Sequence, residues 1–175
     1  AGHIALNAGI AGGADVILIP ELPYSIEGIA SHIDNIRSKG RNHALIVVAE
    51  AVKKEDGKKA TVKFVDGEVR LGGIGAYLGD EIYKMTDAET RVTVLGHVQR
   101  GAQPTHRDRL IASAFGVKAV DLIADKKYNR VVVWQDRSVK DVSLDDIAGK
   151  SQTLSKKDPL IEVARGLGIY IGEFS

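Results

Sequence analysis

Apolar residues follow two patterns in alternation along the chain, helical periodicity and short β-branched runs. The short runs lack in/out alternation, which is typical of strands covered on both faces, as in a parallel sheet. They are Val16–Ile19, Ala44–Ala49, Arg91–Leu95 and Val131–Trp134. Helical periodicity predicts five helices: Ile4–Gly12, Ser25–Lys39, Ala76–Met85, Pro104–Lys126 and Pro159–Gly166. This order predicts an α/β fold, a layered open parallel sheet with helices on both faces.

One segment departs from this pattern. Residues Thr61–Leu71 alternate apolar and polar side chains around Asp66-Gly67, a pair typical of a type I′ turn. We expect a β-hairpin inserted between a strand and the next helix. The following Gly73, Gly75 and Gly79 have the spacing G-x-G-x-x-x-G, which differs from the dinucleotide fingerprint G-x-G-x-x-G. We interpret these glycines as a flexible helix entrance.

Composition excludes several classes of function. The 175 residues include 24 basic and 23 acidic side chains, so the chain lacks the strongly basic balance of a nucleic-acid-binding protein. Cysteine is absent, which excludes disulfide scaffolds and thiolate metal sites and fits a cytoplasmic protein. No apolar run reaches the roughly 18 residues of a membrane span. We therefore expect neither a nucleic acid nor a membrane as partner.

The stretch Glu89–Gly101 carries the densest candidate chemistry. Arg91 stands at the start of a predicted strand, and His97 and Arg100 follow its end, where cations of this kind favour an anionic ligand. At about 3.3 Å per residue, a strand separates Arg91 from His97 by roughly 20 Å. A small phosphorylated metabolite cannot contact both ends of one strand. Either one end is structural, or the two ends serve different sites in an assembly.

Acidic and basic residues also follow the other predicted strands and helices. Glu50 ends the apolar run Ala44–Ala49, where ligands of open α/β sheets bind, and a solvated strand-end acid is the alternative. Glu21 follows the first strand, and Lys39 and Arg41 follow the next helix. The two cations either complement the helix dipole or bind an anion. No histidine or carboxylate has the spacing of a metal site.

Several ordered motifs together resemble the phosphofructokinase family. The family pattern E-T-R-x-T-x-L-G-H-x-Q-R-G is matched from Glu89 to Gly101. The segments G-x-I-A-L-x-A-G-I-A-G-G-A-D, V-I-L-I-P-E, H-A-L-I-V-V-A-E and D-R-L-I-A-S are likewise similar to family segments. The resemblance extends from about Gly2 to Gln135 and implies a phosphofructokinase-like fold.

The resemblance implies phosphoryl transfer to the 1-hydroxyl of fructose 6-phosphate, with Mg²⁺ and either ATP or pyrophosphate as donor. It implies that Glu50 binds the sugar hydroxyls and that His97 and Arg100 hold the 6-phosphate. It further implies that Arg91 contacts the phosphate in a neighbouring subunit's site, so that a homodimer or homotetramer shares its sites. Ala102-Gln103 in place of the commoner Gly-Ser, together with the inserted hairpin, is more similar to the pyrophosphate-dependent or mixed branch than to the short allosteric bacterial enzyme.

Bacterial members of the family bind an allosteric nucleotide or phosphoenolpyruvate in the region of Glu21, Lys39 and Arg41. The family's Lys-Gly-Lys-Lys is replaced here by Lys39-Gly40-Arg41-Asn42. The position of Glu21, Lys39 and Arg41 in this region makes them candidate effector-binding residues, and the departure from Lys-Gly-Lys-Lys argues against that role.

The donor-phosphate loop, the G-G-D-G-S segment, the catalytic base and the Met-Gly-Arg motif of the family have no counterparts here, and we expect them before Ala1. No catalytic residue is therefore assigned within the chain. We expect residues 1–100 to form the sugar-phosphate lobe and residues 101–175 to pack back on the missing donor lobe. The chain alone should be inactive. The alternative is a non-catalytic sugar-phosphate-binding or regulatory module of the same ancestry.

Overall fold

The helices begin and end close to where periodicity predicts them. The computed structural model describes residues 2–63 and 69–172. The elements, in chain order, are α1 (His3–Ala11), β1 (Val16–Leu18), α2 (Ile26–Ser38), β2 (Ile46–Val48), β3 (Thr61–Lys63), β4 (Val69–Leu71), α3 (Ile74–Thr86), a 3₁₀ helix (Gly96–Arg100), α4 (His106–Ala124), β5 (Arg130–Gln135), β6 (Ser138–Ser143), α5 (Leu144–Ile147) and α6 (Pro159–Gly166). All five predicted helices are present within a few residues.

The chain forms two units. The first comprises residues 1–94 and 152–175, and the second comprises residues 95–151. The mixture of helices and strands in both confirms the prediction of an α/β fold in its general form.

Strand β1 is the centre of the first unit. It pairs in parallel with β2, from Val16 opposite Ile46 to Leu18 opposite Val48. On its other side, Tyr170 forms a parallel bridge with Val16. All three residues of β1 are buried, as expected for a strand that is covered on both faces.

The side chains of β1 alternate between two hydrophobic clusters. Ile17 lies in the first cluster with Leu6 of α1 and Ile161 of α6. Val16 and Leu18 lie in the second cluster, together with residues of α2 and α3 such as Ile29, Ile33, Ile74, Leu78 and Ile82. Because successive side chains of a strand point to opposite faces, the parallel strands of this unit carry apolar helices on both sides.

Strands β3 and β4 pair antiparallel, with Thr61 opposite Leu71 and Lys63 opposite Val69. The predicted turn at Asp66-Gly67 lies outside the described residues. In the second unit, β5 pairs antiparallel with β6, from Arg130 opposite Ser143 to Gln135 opposite Ser138. The run Val131–Trp134 is therefore a strand, as predicted, but its partner is antiparallel.

The predicted strand Arg91–Leu95 is wrong. Residues 89–95 have no regular secondary structure, and no described strand pairs with them. Val94 and Leu95 are largely exposed, so the apolar run does not fill a core in this chain. The predicted separation of roughly 20 Å between Arg91 and His97 assumed an extended strand, so that estimate does not apply.

Candidate functional site

The amino-terminal edge of β1 is organised by a buried aspartate. Asp15 precedes β1 and is 9% exposed. Its Oδ2 accepts hydrogen bonds from Arg41 Nη2 at 2.7 Å and from the Leu45 amide at 2.8 Å. Its backbone donates to Leu45 O and accepts from the Tyr170 amide. One residue therefore joins the chain before β2, the start of β1 and the returning carboxy-terminal segment.

The hydrogen bonds of Asp15 determine its ionisation. Burial raises the pKa of Asp15, but the guanidinium of Arg41 and the amide of Leu45 both stabilise the carboxylate. The net result is a pKa below the ordinary value of 3.8. Asp15 is therefore a permanent anion at neutral pH, and Arg41 is its counter-ion.

A pocket of about 290 Å³ opens beside this ion pair. Lys39 and Arg41 both line it, so the structure brings these two predicted residues together. The complete lining is Asp15, His32, Asn35, Ile36, Lys39, Arg41, Leu167 and Gly168. With Asp15 already paired to Arg41, Lys39 and the polar side chains of His32 and Asn35 are left to favour a small anion.

Glu21 lies at the opposite edge of the strands. Its carboxylate accepts hydrogen bonds from the Gly2 amide at 3.0 and 3.1 Å and from the Leu154 amide at 3.0 Å. Burial raises the pKa of Glu21, the amides of Leu154 and Gly2 lower it, and the net pKa lies below its ordinary value. Glu21 thus connects the start of α1 to the chain before α6, and it is not brought together with Lys39 and Arg41.

The residues predicted to bind the sugar phosphate are all at the surface. Glu50 is exposed in the turn that follows β2, at the carboxyl edge of the parallel strands. Arg91 is paired with Glu89, and its side chain is 86% exposed. His97 and Arg100 are exposed on the 3₁₀ helix of the second unit.

The 3₁₀ helix carries a histidine and an arginine three residues apart. Side chains three residues apart eclipse each other in a 3₁₀ helix, so His97 and Arg100 point in the same direction. Gly96, with φ of 51°, supplies the left-handed residue at the start of this helix. Two nitrogen donors on one exposed side form an arrangement that is suited to a phosphate.

The described residues present neither a metal site nor a membrane-spanning helix. In residues 2–63 and 69–172, no group of three or more histidines and carboxylates could hold a metal ion. The Mg²⁺ expected from the resemblance therefore has no fitting ligand set in this part of the chain. Among the helices described, none is long and apolar enough to cross a membrane.

Sequence reasoning missed Asp15. An acidic residue directly before a fully apolar run could have indicated such a site. A carboxylate next to a buried strand must either reach solvent or be paired with a donor, because burying it alone is costly. Here it finds Arg41 and the Leu45 amide. The same missed residue completes the lining of the pocket that Lys39 and Arg41 share.

By fold the chain is an α/β protein with charged side chains at both edges of its parallel strands. The family model for phosphofructokinase matches residues 1–123. The chain therefore belongs to the phosphofructokinase family.

Three relatives illustrate the extent of the similarity. The chain is 53% identical to ATP-dependent 6-phosphofructokinase 1 of Nostoc sp. (strain PCC 7120 / SAG 25.82 / UTEX 2576), over 99% of this chain and 48% of the relative. It is 48% identical to the protein of the same name from Synechocystis sp., over 98% of this chain and 48% of the relative. It is 40% identical to ATP-dependent 6-phosphofructokinase of Chloroflexus aurantiacus, over 98% and 47% respectively. The chain thus spans about half the length of the curated relatives it matches.

The ionisation of Asp15 generates a prediction about stability. Asp15→Asn should lower the free energy of unfolding at neutral pH by about 1–3 kcal/mol, because the charged hydrogen bond from Arg41 is lost. Since the folded pKa of Asp15 is depressed, its contribution is present above the unfolded value near 3.8 and is lost as the pH falls through the folded pKa. Urea unfolding between about pH 3 and pH 7 should show the difference between variant and wild type shrinking at the acidic end.

Asp34→Asn is the matched control. Asp34 pairs with Arg37, but its side chain is 64% exposed, so its removal should change stability by less than about 0.5 kcal/mol. A loss for Asp15→Asn that is independent of pH would contradict the assigned role of the ion pair.

Proposed function

We propose that this chain is the acceptor-sugar half of a 6-phosphofructokinase, which transfers a phosphoryl group to the 1-hydroxyl of fructose 6-phosphate in glycolysis. The observation that carries the proposal is the exposed pair His97 and Arg100 on one side of a 3₁₀ helix. In this proposal the two side chains hold the 6-phosphate, and the planar guanidinium of Arg100 makes a paired contact with its oxygens.

Glu50 supplies the second part of the acceptor site. It follows β2 at the carboxyl edge of parallel strands, the position where open α/β sheets bind ligands. In this proposal its carboxylate accepts hydrogen bonds from the sugar hydroxyls. Arg91 contacts the phosphate bound in a neighbouring subunit's site, which its 86% exposed side chain supports.

The donor in this proposal is ATP, because the similar proteins are called ATP-dependent 6-phosphofructokinases. Phosphoryl transfer relies on positioned groups and a metal ion that stabilise the charge of the transferred group. In this proposal Mg²⁺ and ATP are bound mainly by a part of the complete enzyme outside this chain, which spans about half the length of its relatives. The complete enzyme is cytoplasmic.

Helix α4 supports the proposal that the second unit packs against that other half. Its half-buried or buried residues Ile111, Phe115 and Leu122 recur at helical spacing and form one face, and the helix packs on β5 and β6. A second set of apolar residues is at least 63% exposed: Leu110, Val117, Val120 and Ile123. A helix that is apolar on more than one face is normally buried between layers.

In this proposal the amino-terminal donor half covers the exposed face of α4, and this chain by itself has no kinase activity. The alternative is a non-catalytic sugar-phosphate-binding or regulatory module. The two are distinguished by whether the full-length protein forms fructose 1,6-bisphosphate from ATP and fructose 6-phosphate.

Substitution of Arg100 tests the acceptor site. In the full-length protein, Arg100→Ala should weaken fructose 6-phosphate binding about 10- to 100-fold, because a charge-assisted hydrogen bond contributes about 1.5–3 kcal/mol. Isothermal titration calorimetry measures the affinity directly. Arg107→Ala removes another exposed arginine seven residues away and should leave the affinity unchanged. Unchanged affinity in Arg100→Ala would remove Arg100 from the site.

Mixed oligomers test whether subunits share a site. At a fructose 6-phosphate concentration well below the KM of either variant, Arg91→Ala subunits and His97→Ala subunits should each have little activity apart. A randomly mixed dimer should recover about a quarter of wild-type activity, since one of the two sites in each hybrid is intact. Activity is measured after dissociation and reassembly of the mixture. A mixture of His97→Ala and Arg100→Ala subunits is the control and should not recover, because both residues belong to the same subunit's site.

We further propose that Lys39 and Arg41 bind a small anionic effector in the pocket beside Asp15. The pocket volume of about 290 Å³ and the two cations support this role. The hydrogen bonds of Glu21 to the amides of Gly2 and Leu154 give it a separate, structural role in this proposal. An anion bound at Arg41 would compete with Asp15 for its guanidinium.

The effector proposal is tested with phosphoenolpyruvate and ADP as probes. Lys39→Ala should raise the concentration that half-maximally changes the rate about 10-fold, and should leave the KM for fructose 6-phosphate unchanged when no effector is present. Lys84→Ala is the control, because Lys84 is also a cation at the end of a helix but is paired with Glu81. A wild-type enzyme that responds to neither compound would refute the proposal.

A further inference from the structure

Two glycines one turn apart on α3 lie directly against the segment that carries Arg91. A methyl group on Gly75 would lie 2.8 Å from Cγ1 of Val92. A methyl group on Gly79 would lie 3.1 Å from Oγ1 of Thr90 and 3.4 Å from Cγ2 of Val92. The Thr90 hydroxyl also donates a hydrogen bond of 3.4 Å to Gly79 O. Residues 90–92 therefore rest on the bare backbone of the helix.

The conformation of these glycines gives no other reason for them. Gly73 has a φ of 80° and supplies the left-handed turn before α3, but Gly75 and Gly79 are not among the residues with positive φ. At ordinary helical positions alanine is the better helix former, so glycine there weakens the helix. The close approach of Val92 leaves no room for a methyl group on Gly75, and the approach of Thr90 leaves little room for one on Gly79.

This contact involves the residues on either side of Arg91. Thr90 and Val92 both lie against α3, so the backbone is held to the helix on both sides of Arg91. The side chain of Arg91 itself is 86% exposed, and it is paired with Glu89, whose side chain is 78% exposed. Nothing in the described part of the first unit covers it.

We propose that Gly75 and Gly79 are positioning residues for Arg91. They allow residues 90–92 to pack on α3. This packing directs the guanidinium of Arg91 outward, toward the phosphate of a site on another subunit. The inference rests on the proposed function, because that function gives Arg91 its ligand. The glycines themselves touch no substrate and act through the placement of one side chain.

A substitution and its rescue test this proposal in the full-length enzyme. Gly75→Ala should raise the KM for fructose 6-phosphate on the order of 10-fold, as expected when one charge-assisted hydrogen bond is lost, and should change kcat less than about twofold. The double variant Gly75→Ala/Val92→Ala should restore the KM, because the methyl group that collides with the new side chain is removed. Gly166→Ala is the control, since a methyl group on Gly166 in α6 meets no atom within 4 Å.

The effect must also depend on Arg91. In an Arg91→Ala background, Gly75→Ala should produce no additional rise in KM, because the side chain that it displaces is absent. Gly79→Ala, which meets Thr90 at 3.1 Å, is a second variant for the same comparison, and thermal unfolding of each variant reports whether it folds.

The outcomes separate the inference from the proposed function. If Arg91→Ala raises the KM but Gly75→Ala and Gly79→Ala multiply that effect, the glycines act on general structure and the inference is overturned while the acceptor site stands. A Gly75→Ala enzyme with wild-type KM also overturns it. If Arg91→Ala leaves the KM unchanged, the role proposed for Arg91 fails first, and the positioning role fails with it.

Discussion

The hydrogen bonds of Asp15 are the interaction on which the first unit depends. Its side chain holds Arg41 and the Leu45 amide, and its backbone pairs with Leu45 on one side and Tyr170 on the other. Three segments that are distant in sequence therefore meet at one buried residue. Because β1 is three residues long, it contributes few ladder hydrogen bonds of its own, and the bonds of Asp15 fix the register of its neighbours. The pocket beside Arg41 exists because this register brings the end of α2 next to the residues that follow α6.

Parallel strands explain why the charged residues are gathered at two edges. The amino-terminal edge holds Asp15 with its counter-ion, and the carboxyl edge is followed by Glu21 and Glu50. These two carboxylates share a position in the fold but differ in their environments. Glu21 already accepts three hydrogen bonds from two backbone amides, whereas Glu50 is exposed. Because the partly buried Glu21 carboxylate already accepts from two amides, the exposed Glu50 carboxylate is the more accessible acceptor for hydroxyl groups.

The sequence predicted the helices well because each carries both periodicity and local end signals. Ser25 caps α2 by accepting from the Gly28 amide, and Thr105 and Asp108 form a capping box at the start of α4. These interactions are local, so they are visible in a short window of sequence.

The strands were less predictable. The run Arg91–Leu95 has the composition of a strand but lacks a partner among the described strands, and β6 was missed because Ser138, Lys140 and Asp141 make it polar. Pairing is a property of two segments, and composition reports on only one.

The candidate site, like the strands, could be predicted only in part from the sequence. Residue types predict anion binding at His97 and Arg100, and the structure shows only that both lie on one exposed 3₁₀ helix, so their role stays a prediction. The sequence could not show that Glu21 is separated from Lys39, because that depends on which edge of a strand each residue occupies.

The glycines of α3 were interpreted from sequence as a flexible helix entrance, and that interpretation fits only Gly73. The spacing of four residues between Gly75 and Gly79 has a different physical meaning, since it puts two bare positions on one helix face. Glycines at helical φ are retained against their cost in helix stability when another segment must come closer than a methyl group allows. Here that segment contains the exposed Arg91, between two residues that pack on the helix. In this proposal the packing of Thr90 and Val92 on Gly75 and Gly79 therefore does more to orient Arg91 than its ion pair with Glu89.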